Sequence, residues 1–315
     1  VEFDPKKVRW VKFVANDAVG SYIGLSEIEV YPPAEACEDF VSQVLSGIEH
    51  NGELHEIWGG FSINTLEAFG QLSEGPTPLC LTDCQPYLDS MGYTEPIFSD
   101  WMTKAELLKC IFPGILKSAY DSENNCYNLD SEYTRALLEL CRTRPAEVDS
   151  ENEYLSEVLS YIDLQPDYFN NLINSGRAFR LFDGSNGDNF TSFVCDYRSG
   201  YMIPETCPNK DNAWGFLRIM LTEEQQLKEF NQRRICYPSN TNALEQVLES
   251  YNSSETYDAV HRLIESATLY TPDYIKAEQI FIESVLPYVY GDAELDTVLD
   301  IAQGKINIFS AERES

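Results

Sequence analysis

Apolar and polar residues alternate along this chain with two different periods. From Val8 to Asn16 ("VRWVKFVAN") and from Gly24 to Tyr31 ("GLSEIEVY") the alternation is that of strands, and a Gly-Ser turn region joins them, which predicts a β-hairpin. Two strands alone are marginal in water, so this hairpin needs partners. Pro32-Pro33 ends the pattern, and Glu35 to Phe69 then reads as a helix, an Asn51-Gly52 turn and short apolar strands. Beyond it the period becomes helical. Leu107, Leu108, Ile111 and Ile115 form one stripe, Tyr133, Leu137, Leu138 and Cys141 a second, and Tyr154, Val158 and Tyr161 a third. Short strands return at "RAFRLF", "TSFVCDY" and "GYMI". The last third is helical again, with stripes at Leu244 to Tyr251, Val260 to Ala267, Ile275 to Val289 and Leu295 to Phe309, punctuated by Pro272 and Gly291. No repeat of fixed period appears, which disfavours a solenoid.

The segment "KDNAWGFLRIMLTEEQQ", Lys210 to Gln226, shows how two elements join. Ala213, Trp214, Phe216, Leu217, Met220 and Leu221 cover one broad apolar face at helical spacing, and that face must be buried. Thr222 followed three places later by Gln225 is a capping-box pattern, so a second helix carrying Gln226, Leu227 and Phe230 is expected after a sharp bend.

Length and composition narrow the possibilities. The 315 residues, 43% of them hydrophobic, suffice for a real core and for about two domains. With 22 Lys plus Arg against 52 Asp plus Glu, the formal charge of -30 repels phosphate backbones and anionic lipid headgroups, so nucleic acid is not an expected partner. Nine cysteines form no C-x-x-C pair, and Cys110 and Cys141 sit on apolar helical faces as small buried hydrophobes. No apolar run is long enough to span a bilayer. Val1 enters a strand-like pattern directly, from which we expect a longer polypeptide upstream. Ala36-Cys37 lacks the apolar segment that a lipoprotein signal requires.

Chemistry-bearing motifs are sparse. Paired carboxylates are nearly guaranteed by chance among 52 acids, so they do not by themselves argue for a glycosidase. "HNGELH", His50 to His55, lacks the helical zinc spacing and contains a turn. "DGSNGDN", Asp183 to Asn189, has the oxygen donors of half a calcium loop, but Val194 stands where the bidentate Glu would fall, and a turn between strands is expected. Neither a phosphate loop nor a nucleophile motif occurs, and no metal or cofactor is expected. What remains is aromatic residues, 12% of the chain, many beside Asp, Asn or Gln. Flat rings ringed by short polar side chains suit the C–H faces and hydroxyl edges of sugars. The candidate ligand contacts are Trp58, Phe61, Tyr93, Trp101 and Tyr201, whereas Trp214 belongs to the buried helical face.

Two resemblances follow from longer passages. "VRWVKFVANDAVGSYIGLSEIEVY" resembles the closing strands of a discoidin-type, galactose-binding-like β-sandwich, over residues 1–33. Residues 39–312, within a domain expected at 34–315, resemble an extracellular solute-binding protein of a carbohydrate ABC importer, through four passages in family order. These are "DFVSQVLSGIEHNGELHEIWGGFSINTL", "MTKAELLKCIFPGILKSAYDSENNCYNLDSEYTRALLELCRT", "PNKDNAWGFLRIMLTEEQQ" with "CYPSNTNALEQVLES", and "YIKAEQIFIESVLPYVYGDAELDTVLDIAQGKINIFSAE". The resemblance implies an α/β, periplasmic-binding-protein-like two-lobed fold, helix-rich, its first lobe incomplete because the opening third of such a protein is missing. "SGRAF" (Ser175 to Phe179) is then the remnant of a strand that usually carries Gly-Lys-Ala.

The implied function is non-catalytic binding of an oligosaccharide at the cell surface, by a monomer anchored through an upstream segment, for delivery to an ABC permease. Trp214 is then structural, behind the cleft. The alternative is a non-catalytic glycan-binding or adhesion module of a larger surface protein or glycoside hydrolase; a glycoside hydrolase acting by itself ranks third.

Overall fold

A computed structural model of the chain describes residues 39–50, 53–54, 56–75, 80–93, 96–99, 101–121, 124, 126–148, 158–182, 190–195, 200–251, 254–269 and 272–313. The hairpin expected at 8–31 and the acidic turn at 183–189 lie outside these residues. The first elements are α1 (Ser42–Ile48), the hairpin β1 (Glu49–His50) and β2 (Glu53–Leu54), β3 (Ile57–Trp58) and β4 (Gly60–Phe69). Next come α2 (Leu81–Ser90), α3 (Lys104–Ala119), the hairpin β5 (Tyr120–Asp121) and β6 (Cys126–Tyr127), and α4 (Glu132–Arg142). The middle of the chain supplies β7 (Leu159–Leu164), α5 (Pro166–Asn174), β8 (Phe179–Leu181), β9 (Ser192–Cys195) and β10 (Gly200–Tyr201). The remainder is α6 (Lys210–Met220), α7 (Glu223–Arg233), β11 (Tyr237–Pro238), α8 (Thr241–Glu249), α9 (Ser254–Ser266), β12 (Thr268–Leu269), α10 (Pro272–Tyr290) and α11 (Leu295–Arg313).

The ten-residue β4 is the spine of a six-stranded sheet. Phe61 faces Cys195 of β9 on one edge and Tyr237 of β11 on the other. Further along, Glu67 faces Leu181 of β8 and Ser160 of β7. One edge of β4 therefore carries β11 and then β7, and the other carries β9 and then β8, all antiparallel to it. The short β12 continues the sheet beyond β9 in parallel. Because side chains alternate across a strand, the phase of apolar residues in "GFSINTLEAF" decides which core each face serves. Phe61, Ile63 and Phe69 enter one core, while Leu66 and Ala68 enter the other.

The two cores differ in composition. The first is helical, built from α2, α3, α4, α10 and α11 around Phe112, Phe281 and Leu138. Phe112 packs 5.2 Å from both Tyr274 and Phe281, ring centre to ring centre. The second is mixed, with α1 and α5 to α9 packed on the Phe61 side of the sheet. Phe61 meets Phe193 edge to face at 4.9 Å and lies 5.9 Å from Tyr237.

Local sequence explains many of the helix starts. Thr103, Ser131, Asn209, Thr222 and Asn240 each accept a hydrogen bond from the backbone N–H three residues on, satisfying a donor the helix leaves open. The bend expected after Leu221 is present, with Thr222 capping α7 through Gln225 N–H at 3.4 Å. The reciprocal half of the capping box is replaced, since Gln225 turns its amide to Glu229 at 3.3 Å. Its neighbour Gln226 is buried instead and acts as a staple. Its amide donates to Ser239 Oγ at 3.1 Å and its carbonyl accepts from Asn240 N–H at 2.8 Å, while Ser239 Oγ donates to the Trp58 carbonyl.

One expected element is corrected. The third helical stripe, Tyr154, Val158 and Tyr161, is not a helix where it is described: Leu159–Leu164 is strand β7, paired with β4 from Ile63 to Ala68. The six facing residues of β4 override the local helical spacing.

Gln226→Ala is expected to destabilise the protein by about 2–3 kcal/mol, because it strands the Asn240 N–H in the core and removes the hydrogen bond that Ser239 Oγ accepts. Gln225→Ala, at a partly exposed cap, is expected to cost less than about 1 kcal/mol. Urea unfolding of the two variants checks the contrast.

Candidate functional site

The five candidate aromatic residues divide between the two cores. Trp58 on β3 and Phe61 on β4 are 2% and 0% exposed, and Tyr201 on β10 pairs with Ile57 and packs against the same mixed core. Trp58 and Phe61 therefore serve packing in this conformation, and neither ring has a face open to a ligand. Tyr93 follows α2, half-buried against the helical core, and Trp101 precedes α3 with 55% of its surface exposed. The structure places Trp58, Phe61 and Tyr201 with the mixed core and Tyr93 against the helical one, and leaves Trp101 exposed beside Met102, which packs on the helical core.

Trp101 is exposed on a segment that is held firmly. Arg144 is buried at the end of the turn that follows α4, and its guanidinium reaches back to three carbonyls: Phe98 at 3.2 Å, Ser99 at 2.6 Å and Met102 at 2.9 Å. The same group lies 5.7 Å from the centre of the Phe98 ring. Hydrogen bonds from a buried cation are stronger than neutral ones, so these three fix the backbone on both sides of Trp101. Thr103 then caps α3. An indole on a rigid segment loses little entropy when a ligand stacks on it. Nothing in "RTRPAE" marks Arg144 as the organiser, because its partners are backbone carbonyls more than forty residues earlier.

A second organised group centres on Glu67. Its side chain is 1% exposed on β4, Oε1 accepts a hydrogen bond from the Tyr168 hydroxyl, and Oε2 has no hydrogen-bond partner. Burial lifts the carboxyl from 4.5 to about 7, against the opposing effects of the Tyr168 hydrogen bond and the Arg177 charge. Arg177 lies 3.9 Å from the centre of the Phe69 ring, just after Gly176, whose φ of +67° suits a residue without Cβ. This is the "SGRAF" segment, and it leads into β8. Thr65, two residues before Glu67, is likewise buried but donates to the Phe182 carbonyl at 3.1 Å. A lone carboxylate in the apolar run "INTLEAF" was the sequence signal for Glu67.

Among the described residues, no three His, Cys, Asp or Glu side chains converge as a metal site, and no helix is long and apolar enough to cross a membrane. His55 of "HNGELH" lies outside the described residues. Cys110 and Cys141 are buried, and burial pushes both thiols up, away from the reactive thiolate form.

No protein-family model and no curated protein matches the chain. Solved structures do match its fold. A cyclic α-maltosyl-1,6-maltose binding protein from Arthrobacter globiformis aligns at a TM-score of 0.54 and 13% identity, over 89% of this chain and 78% of that one. A protein from Synechococcus sp. MITs9220 assigned as an oligosaccharide periplasmic-binding protein aligns at 0.55 and 14% identity, over 90% of this chain and 80% of that one. The chain thus has the periplasmic-binding-protein-like α/β fold.

Glu67 gives the protein a stability slope. Its native carboxyl keeps a proton that the unfolded chain gives up, so stability is expected to fall as pH rises from about 4.5 through about 7. Glu67→Gln, neutral throughout, is expected to be more stable than wild type by on the order of 2 kcal/mol at pH 8 and nearly equal to it at pH 4. Thermal melts across that range read the slope directly.

Proposed function

We propose that this chain binds an oligosaccharide without altering it and delivers it to an ABC permease, outside the cytoplasm, as a monomer tethered through an upstream segment. The observation that carries this reading is the fold, shared along about 90% of the chain with two proteins whose names denote oligosaccharide binding. Two cores threaded by one strand suit a hinge clamp, in which a ligand bound between halves draws them together. No nucleophile motif is evident, as befits a carrier that leaves its cargo unchanged.

Of the candidate aromatics, Trp101 is the stacking platform in this reading, and Tyr93 is the other candidate outside the mixed core. Trp58, Phe61 and Tyr201 form the wall behind the sheet. A sugar ring presents C–H groups to an indole face, a contact worth about 1 kcal/mol beyond the area buried. Trp101→Ala is expected to weaken binding of a linear trisaccharide at least roughly tenfold with no loss of thermal stability. Fluorescence titration with maltotriose, cellotriose and xylotriose measures this. A flat response of the wild-type protein to a broad sugar panel overturns the reading.

A further inference from the structure

Among the described residues, clefts border α7 on several sides, and one of about 890 Å³ opens between α5, α7 and α8. Its floor is apolar, with Pro166, Leu227, Phe230, Val247 and Tyr251. Its rim is polar, with the amides of Asn170, Asn231 and Gln246 and the opposite charges of Asp167 and Arg234. None of the five aromatic residues considered above lines it.

Several of these groups are already oriented. Gln246 donates its amide to Glu223 at 2.6 Å, and Asn170 Oδ1 accepts from Asn174 at 3.2 Å. Arg234 is the single non-glycine residue with positive φ among those described, at +50°. That conformation costs a residue with a Cβ about 1 kcal/mol. It turns the Arg234 carbonyl to the N–H of Asp167 at 3.3 Å, which ties the end of α7 to the start of α5 and closes one side of the cleft.

Tyr251 is held in place on that floor: it is half-buried and lines the cleft, its ring meets Phe169 edge to face at 5.6 Å, and its hydroxyl lies 3.5 Å from the Pro166 carbonyl.

We propose that this cleft is a sugar subsite that takes one pyranose unit of a neutral oligosaccharide. Phe230 and Tyr251 face the C–H side of the ring, and Asn170, Asn231, Gln246 and Asp167 meet its hydroxyls. Side-chain amides both donate and accept, which matches hydroxyl groups, and an apolar floor matches the ring. Asp167 and Arg234 cancel at the rim, so the cleft favours neither an anion nor a cation. Three helices wall it, leaving no strand edge on which a peptide would extend. The ligand class rests on the carbohydrate reading above, whereas the location rests on this cleft alone.

The test is calorimetric titration of the full chain with maltotriose, cellotriose and xylotriose, comparing wild type, the Asn231→Ala/Gln246→Ala double variant, Tyr251→Phe and Trp101→Ala. Thermal melts verify folding, and Tyr251→Phe, which removes only a hydroxyl, guards against a misfolded double variant. The proposal predicts roughly tenfold weaker binding in the double variant and a measurable loss in Tyr251→Phe. Unchanged affinity in both cleft variants, with a loss in Trp101→Ala, overturns the subsite and leaves carbohydrate binding standing. Absence of heat from any sugar with wild type overturns both.

Discussion

The structure depends on one strand serving two cores. β4 is flanked on both edges along most of its length and covered on both faces, so Ser62, Thr65 and Glu67 are cut off from water. Thr65 answers by bonding to the Phe182 carbonyl and pairing with Thr191 at 3.3 Å. Glu67 is answered only in part, through Tyr168, and stays near neutrality because a buried charge there is expensive. One face of the strand sends Phe61, Ile63 and Phe69 into the mixed core and the other sends Leu66 and Ala68 into the helical one, so a single unbroken ladder serves both. A shift in its register by one residue would turn Phe61 and Ile63 out of the mixed core and Leu66 out of the helical one.

Much of this was legible in the sequence where the signal was local. The stripes of α3, α4, α8, α9, α10 and α11 fall where helical spacing placed them, and Thr222 caps the helix it was expected to start. Cys110 and Cys141 are buried as small hydrophobes. Two short helices escaped notice. α2 carries Pro86 in its interior and α5 is nine residues long, beginning at Pro166, so neither offered a long uninterrupted stripe. β7 was misread because Tyr154, Val158 and Tyr161 keep helical spacing, while its strand state is set by pairing with β4 nearly a hundred positions away.

The site was harder to read, for a physical reason. An aromatic residue beside polar neighbours looks alike whether its ring stacks on a ligand or fills a core, and burial of Trp58 and Phe61 is decided by β9, β10 and β11. Trp101 differs in that its ring is more than half exposed while Arg144 fixes the backbone on both sides of it. The cleft at α5, α7 and α8 is assembled from residues far apart in sequence, and its clearest mark, the positive φ of Arg234, exists only in three dimensions.

The central claim is that the shared strand couples two bodies that a bound sugar holds together. Hydrogen–deuterium exchange of the chain with and without saturating maltotriose addresses it most directly. The account predicts slower exchange in β4 and β7 and in residues 97–103, with the trisaccharide recovered intact. Bound sugar with unchanged exchange in all three segments, or recovery of shortened sugars, would contradict it.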